Sequence, residues 1–383
     1  MKEACRKFSD AEPFPQVSKV CRTSTYTKSM KTPNSFIEPA ALQLLLSISV
    51  VCNLEPVLGV PSQEIVRANV PWGYGNNSGG GYLGPDYWTN LPGGTSCGGS
   101  RQSPINFVTM SATRRNYEKD RLFFDKHGKS PIDEKWTFVN NGHSVQLTTF
   151  YKAGERPELQ QNSLNGIYVF DQVHFHWGSD DKFGSEHLVD GSAAVLELHI
   201  VHSLRNASNE EINQRRDGLA VIGILFEIGN FDNPKLESFV RNLERVAQPG
   251  SSINNAVLAG HTLKDLIPSN KTFFRYMGSL TTPPCTENVV WTVFTQKQKI
   301  SLDQLAVFRT VLANNELEHN ATVSPVPVSD NYRPPQPLNG REVFLFVDGA
   351  SSLSICQKLL ALITLLDSVI NLLYSRKVFG SSI

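Results

Sequence analysis

The chain carries no excess of charge of either sign: Lys plus Arg and Asp plus Glu number 36 each among its 383 residues. Without a basic surplus, nothing in the composition points to a nucleic-acid partner. It also has no internal repeat, no low-complexity tract and no long charge run, so neither a repeat array nor a charged tail organises it. Long apolar runs are scarce. Residues 40–51 form one, too short to cross a bilayer, and residues 359–374 form another near the C-terminus. Cysteine is sparse as well: Cys5, Cys21, Cys52, Cys97, Cys285 and Cys356 are spread along the chain, and spacing alone does not pair them.

Against these absences stand 21 Phe, 27 Gly and 22 Pro, the mixture of a sheet-rich protein with many turns. The length admits two or three domains, yet sheet-based folds often place roughly 200–250 residues in one. Runs rich in β-branched and aromatic residues predict strands at 135–139, 144–149, 166–177, 194–202, 218–227 and 289–295. The stretch from Leu219 to Phe226 is apolar nearly throughout, as in a central strand covered on both faces. Helical signals are few: 233–246, with Pro234 near its first turn, and 302–314, behind Ser301 as N-cap. The lead around Trp72-Gly73-Tyr74-Gly75 and Gly84-Pro85-Asp86-Tyr87-Trp88 reads as loop. The predicted class is α+β: one large, sheet-dominated domain with short peripheral helices.

The chemistry gathers on Gln172-Val173-His174-Phe175-His176-Trp177-Gly178 and Glu197-Leu198-His199. Side chains alternate along a strand, so His174 and His176 share one face, as do Glu197, His199 and Val201. A lone strand histidine is usually an ordinary core or surface residue. If these two strands are neighbours, however, three imidazoles converge, and three neutral nitrogens with a fourth position open describe a catalytic zinc site. Glu197 in an apolar strand either forms an ordinary ion pair or serves that site, since a buried acid without a partner is costly.

These motifs, with Gly184-Ser185-Glu186-His187, Arg101-Gln102-Ser103-Pro104-Ile105-Asn106 and Leu280-Thr281-Thr282-Pro283-Pro284-Cys285, occur in an order that resembles the α-class carbonic anhydrases. The resemblance runs from about Trp72 to about Phe346, within a domain placed at 66–346. It implies a central, mostly antiparallel twisted sheet and a Zn2+ cofactor on His174, His176 and His199. The implied reaction is the reversible hydration of carbon dioxide to bicarbonate and a proton by attack of zinc-bound hydroxide. It further implies that Gln172, Glu197 and the backbone carbonyl of Asn331 hold the three rings. Thr281, donating to Glu186, would orient the nucleophile. Val201, Val221, Leu280, Thr281, Thr282 and Trp291 would form the substrate site, though each apolar one also reads as plain core. His143 takes the position of the proton shuttle; in an Asn-Gly turn it otherwise reads as an exposed, idle residue. Tyr74, Asn141 and Gln146 would line the watery side, and His187 and His202 would bond structurally. Two other readings stand beside this one: a binding or adhesion module of the same fold without activity, and a zinc-dependent ester hydrolase.

In this family, secreted and membrane-bound members join two cysteines at the places of Cys97 and Cys285, which implies an oxidising compartment. Asn76, Asn206, Asn270 and Asn320 head Asn-x-Ser/Thr sequons compatible with the secretory route. Residues 1–29 read as disordered or as a gene-model extension, and 30–59 as a signal peptide started at Met30, with a buried helix as the alternative. In 347–383, the small residues Gly349 to Ser352, a spacer and the 359–374 run match a lipid-anchor attachment signal. A retained transmembrane helix flanked by Arg376-Lys377, with Asp367 against it, and an amphipathic tail helix remain open. The expectation is an enzyme held by a C-terminal membrane anchor at the cell exterior, with no nucleic-acid partner.

Overall fold

A strand forms where alternate side chains find cover, and Lys135–Asn140 illustrates it: Trp136, Phe138 and Asn140 are buried while the residues between them are half-exposed. Leu219–Ile228 differs, being buried from Leu219 to Phe226 on both faces, as its continuous apolar run predicts. The computed structural model describes residues 72–74, 83–91, 95–313 and 327–348. The predicted segments 1–29 and 30–59, and the tail from Gly349 onward, lie outside the described residues. Among the described residues, no helix is long and apolar enough to cross a membrane.

The described strands build a thirteen-stranded sheet and a separate two-stranded one. The main order is Ser252–Val257, Lys135–Asn140, Val145–Thr149, Tyr168–Trp177, Leu196–Leu204, Leu219–Ile228, Val289–Phe294, Phe273–Gly278, Phe344–Val347 and Thr113–Asn116. Neighbours are antiparallel except where Leu219–Ile228 meets Val289–Phe294 and Gln298–Ile300, and where Phe344–Val347 meets Thr113–Asn116. The class is therefore the predicted one, a sheet-dominated domain with a mixed, mostly antiparallel sheet.

Alternation sorts the two faces. Val173, Phe175, Leu198, Ile200, Ile222 and Ile224 enter the larger core, whereas Val201, Val221, Leu225 and Trp291 enter a smaller apolar cluster on the opposite face. That second face carries the histidines.

All six predicted strands are present, with ends shifted by one or two residues. Phe273–Gly278 was not predicted, because Arg275 interrupts its apolar pattern. The structure buries that arginine, which donates to Thr292 Oγ1 at 3.1 Å and to Gln161 Oε1 at 2.7 Å. Ser252–Val257, also unpredicted, carries a register shift between Ile253 and Ala256, with Asn255 at φ 66°. Both predicted helices are shorter than 233–246 and 302–314. One is Glu237–Leu243 with a 3-10 turn Glu244–Val246 behind it; ahead of it the Asn233 side chain accepts the Lys235 N–H and holds a turn. The other, Leu302–Phe308, does start behind Ser301 but ends early. There Leu312 N–H turns to the Ala247 carbonyl and Leu312 bridges to Pro327. Two short helices, Asn209–Gln214 and Leu263–Leu266, carried no recognised signal.

Candidate metal centre

Tyr168–Trp177 and Leu196–Leu204 are adjacent and antiparallel, with His174 directly opposite His199. His176 lies two residues along from His174, on the same face, so one row of the sheet presents all three rings. Their ligand nitrogens all lie within 4.8 Å of one another, and His174 Nε2 approaches His199 Nδ1 to 3.1 Å. His176 and His199 are buried and His174 is partly so.

Each outer nitrogen has its own acceptor. His174 Nδ1 donates to Gln172 Oε1 at 2.9 Å, His176 Nδ1 to the Asn331 carbonyl at 2.7 Å and His199 Nε2 to Glu197 Oε1 at 2.8 Å. Those bonds fix the tautomers and leave His174 Nε2, His176 Nε2 and His199 Nδ1 as inward lone pairs. Burial pushes His174 well below the usual histidine pKa and lowers His199 too, so both rings stay neutral. His176 Nε2 is buried without a hydrogen-bond partner. A borderline-soft cation such as zinc fits three neutral imidazole nitrogens and satisfies that orphaned atom.

Glu197 is the hub behind the triad. Its Oε1 also accepts from His187 Nδ1 at 2.7 Å, and its Oε2 accepts the backbone N–H groups of Glu186 at 2.9 Å and His187 at 2.8 Å. Burial would raise this carboxyl, but His187 and His199 outweigh it and hold the group well below the usual carboxylate range. His187 Nε2 continues to the Tyr276 hydroxyl at 2.7 Å, and that hydroxyl to Ser103 Oγ at 2.8 Å. Both ring nitrogens of His187 are thus engaged in hydrogen bonds. His202, on the opposite face, meets His127 Nε2 at 3.1 Å.

Glu186 and Thr281 are both buried, yet no hydrogen bond joins them here. Glu186 Oε1 accepts the Arg333 backbone N–H at 3.0 Å, while Oε2 has no hydrogen-bond partner and lies 3.4 Å from His176 Nε2. The loop bearing Thr281 and half-buried Thr282 is tied down by the Cys97–Cys285 disulfide, with Cα atoms 4.9 Å apart, and by the Cys285 N–H on the Thr282 carbonyl. Arg333 pins the same region from behind, donating to Gln102 Oε1, the Ser103 carbonyl and the Cys97 carbonyl at 2.7 to 3.0 Å. Sequence reasoning gave Arg333 no role, because its partners lie more than 200 residues away.

The two flanks of the triad differ in polarity. Val201, Val221 and Trp291 form one cross-strand row in register, and Leu280 packs against the same cluster. The Trp291 ring stands 4.8 Å from that of His199. On the other flank, buried Gln146 pairs with His174, and Asn141 Oδ1 accepts the N–H groups of His143 and Ser144. The His143 ring stacks on Trp72, centroids 3.8 Å apart and planes at 11°, with Tyr74 edge-on at 6.5 Å. Burial in that stack pushes the His143 imidazole down to about 4. The stack was not foreseen, since nothing local to His143 signals Trp72.

Residues 83–347 match the eukaryotic-type carbonic anhydrase family. The chain belongs to that family. It is 34% identical over 273 residues to carbonic anhydrase 3 of Homo sapiens, covering 71% of this chain and 96% of that protein. It is 35% identical over 278 residues to carbonic anhydrase 1 of Mus musculus, covering 72% and 98%. Carbonic anhydrase 4 of Rattus norvegicus is 34% identical over 265 residues, covering 68% and 79%. The His174, His176 and His199 cluster is consistent with the zinc site of this carbonic anhydrase family. Of the four sequons, Asn206 and Asn270 are exposed, while Asn76 and Asn320 lie outside the described residues.

Proposed function

We propose that this chain catalyses the reversible hydration of carbon dioxide to bicarbonate and a proton, with zinc held by His174, His176 and His199. The observation that carries the reading is the triad itself: three inward nitrogens within 4.8 Å, each ring fixed from behind by a separate acceptor. Zinc, when bound, supplies a water nucleophile at neutral pH by lowering that water's pKa to about 7. Carbon dioxide has no charge to grip, and the Val201, Val221, Leu280 and Trp291 wall offers it an apolar seat beside His199. Thr281, once it donates to the open Glu186 Oε2, presents only lone pairs to the reacting water and sets its direction. Thr282 lies beside it at the substrate side. His143 receives the released proton, across the flank lined by Gln146 and Asn141.

Metal analysis and a carbon dioxide hydration assay test the reading together. The purified domain should carry one zinc and hydrate carbon dioxide; His174→Ala should lose both. Stoichiometric zinc and an unchanged rate in that variant would defeat the ligand assignment. Thr281→Ala should keep its zinc and lose most of its rate. Zinc retained without hydration in the unmodified domain would favour a binding module instead.

The same proposal places the enzyme domain at 66–346, behind a signal peptide and ahead of a C-terminal anchor, at the cell exterior. The Cys97–Cys285 disulfide supports an oxidising compartment. Treating expressing cells with a phospholipase specific for phosphatidylinositol anchors should release activity into the medium. Activity that stays on the membrane, with peptides from 359–374 in the mature protein, would decide for a transmembrane helix.

A further inference from the structure

Leu219–Ile228 is buried and apolar from Leu219 to Phe226, and Gly223 in the middle of that run has no side chain to bury. Turn geometry does not call for it, because Gly223 is not among the positive-φ glycines. A glycine inside a strand otherwise weakens it and marks a close approach by another group. Here that group is identifiable. A Cβ built on Gly223 would stand 3.0 Å from Glu197 Oε1 and 3.1 Å from Val293 Cγ2. Gly223 lies directly opposite His199 on one side and Val293 on the other.

Glu197 has no slack with which to yield. Its Oε1 receives both His199 Nε2 at 2.8 Å and His187 Nδ1 at 2.7 Å, and its Oε2 is held by two backbone N–H groups. Moving Oε1 by a few tenths of an ångström loosens the ring bonds or strains the backbone ones. Val293 is β-branched, fully buried and stiff at χ1, so it does not give way easily either.

We propose that Gly223 is a positioning residue of the metal centre: its missing side chain is the space in which Glu197 holds His199 and His187 at once. The inference rests on the zinc reading above. Partners behind a metal ligand typically change affinity by about 10–100-fold when disturbed. Gly223→Ala should therefore bind zinc roughly 10-fold or more weakly in competition with a chelator. In the metal-free protein, the His199 and His187 ring N–H resonances should shift as their bonds lengthen.

A double variant, Gly223→Ala with Val293→Ala, separates this from simple crowding and supplies the same readouts should the single variant not fold. It removes the clash with Val293 and keeps the one with Glu197, so its zinc affinity should stay reduced. Wild-type affinity and unshifted ring N–H signals in the double variant would overturn the proposal and leave Gly223 a packing residue. An unmodified chain that binds no zinc would instead sink the zinc reading, a different outcome from equal affinities in all three proteins.

Discussion

Each ring of the triad is held by an acceptor of a different kind: the amide of Gln172, the carboxylate of Glu197 and the backbone carbonyl of Asn331. The first two stand two residues from their ligands on the same strand, so alternation alone brings them within reach. Asn331 comes from a loop 155 residues from His176, and no local pattern signals it. His143 shows the same limit from the opposite direction. Its place in an Asn-Gly turn is plain in the sequence, but its stacking on Trp72, and hence a pKa pushed down to about 4, is decided by the fold. A ring so depressed accepts a proton poorly at pH 7, where a shuttle works best with a pKa near neutrality. Trp72→Ala should move the His143 pKa up toward 6.5 in an NMR titration and speed turnover in weak buffer. His143→Ala should slow turnover there and recover in part with added imidazole. No rescue would exclude His143 as the shuttle.

Among the elements, the predicted strands had their ends placed more closely than the predicted helices, although Ser252–Val257, Phe273–Gly278, Phe344–Val347 and Thr113–Asn116 of the main sheet were missed. Period-two burial and β-branched runs persist along a whole strand, whereas a helix end depends on single side-chain contacts. Ser301 is the helix signal that the sequence did state clearly: its Oγ accepts the Gln304 N–H at 3.0 Å and the Gln304 side chain returns to the Ser301 N–H. The hydroxyl also bonds Asp232, tying the Leu302–Phe308 helix to the loop before Glu237–Leu243. Ser301→Ala should lower stability by about 1–2 kcal/mol in chemical denaturation, at the upper end for a lost cap, while leaving zinc affinity unchanged. A change below a few tenths of a kcal/mol would show that the cap contributes little.

For the whole molecule, the Cys97–Cys285 link closes a loop of sequence separation 188 and joins the N-terminal lead to the Thr281–Thr282 loop. Its reduction should lower stability by about 2–5 kcal/mol, read as a drop in melting temperature with dithiothreitol. Acid should act through His127 and His202, both fully buried. Burial lowers His127 from 6.5 to about 4 and holds His202 well below the usual histidine range. Unfolded chains therefore take up protons first. The stability these groups contribute is present above about pH 6.5 and is lost as pH falls through about 4, on the order of 3 kcal/mol for His127 alone. His127→Phe should flatten the dependence of stability on pH between 7 and 4.5 in urea denaturation. An unchanged slope would place the acid sensitivity elsewhere.

The sequence by itself determined the class of the fold, the strands that carry the site, and the face on which His174, His176 and His199 stand. These are short-range properties, set by alternation, β-propensity and apolar runs that any few residues display. Family resemblance, a property of motif order, supplied the partners that lie far apart along the chain. Only the tertiary structure decided that Glu197 ties two histidines with one oxygen, that Gly223 leaves room for it, and that Glu186 keeps an oxygen without a hydrogen-bond partner 3.4 Å from His176. It likewise buried Arg275 in an unpredicted strand and stacked His143 on Trp72. The physical reason is common to all of these. Each depends on a distance between residues many positions apart, and such distances exist only after the sheet has brought its strands into register.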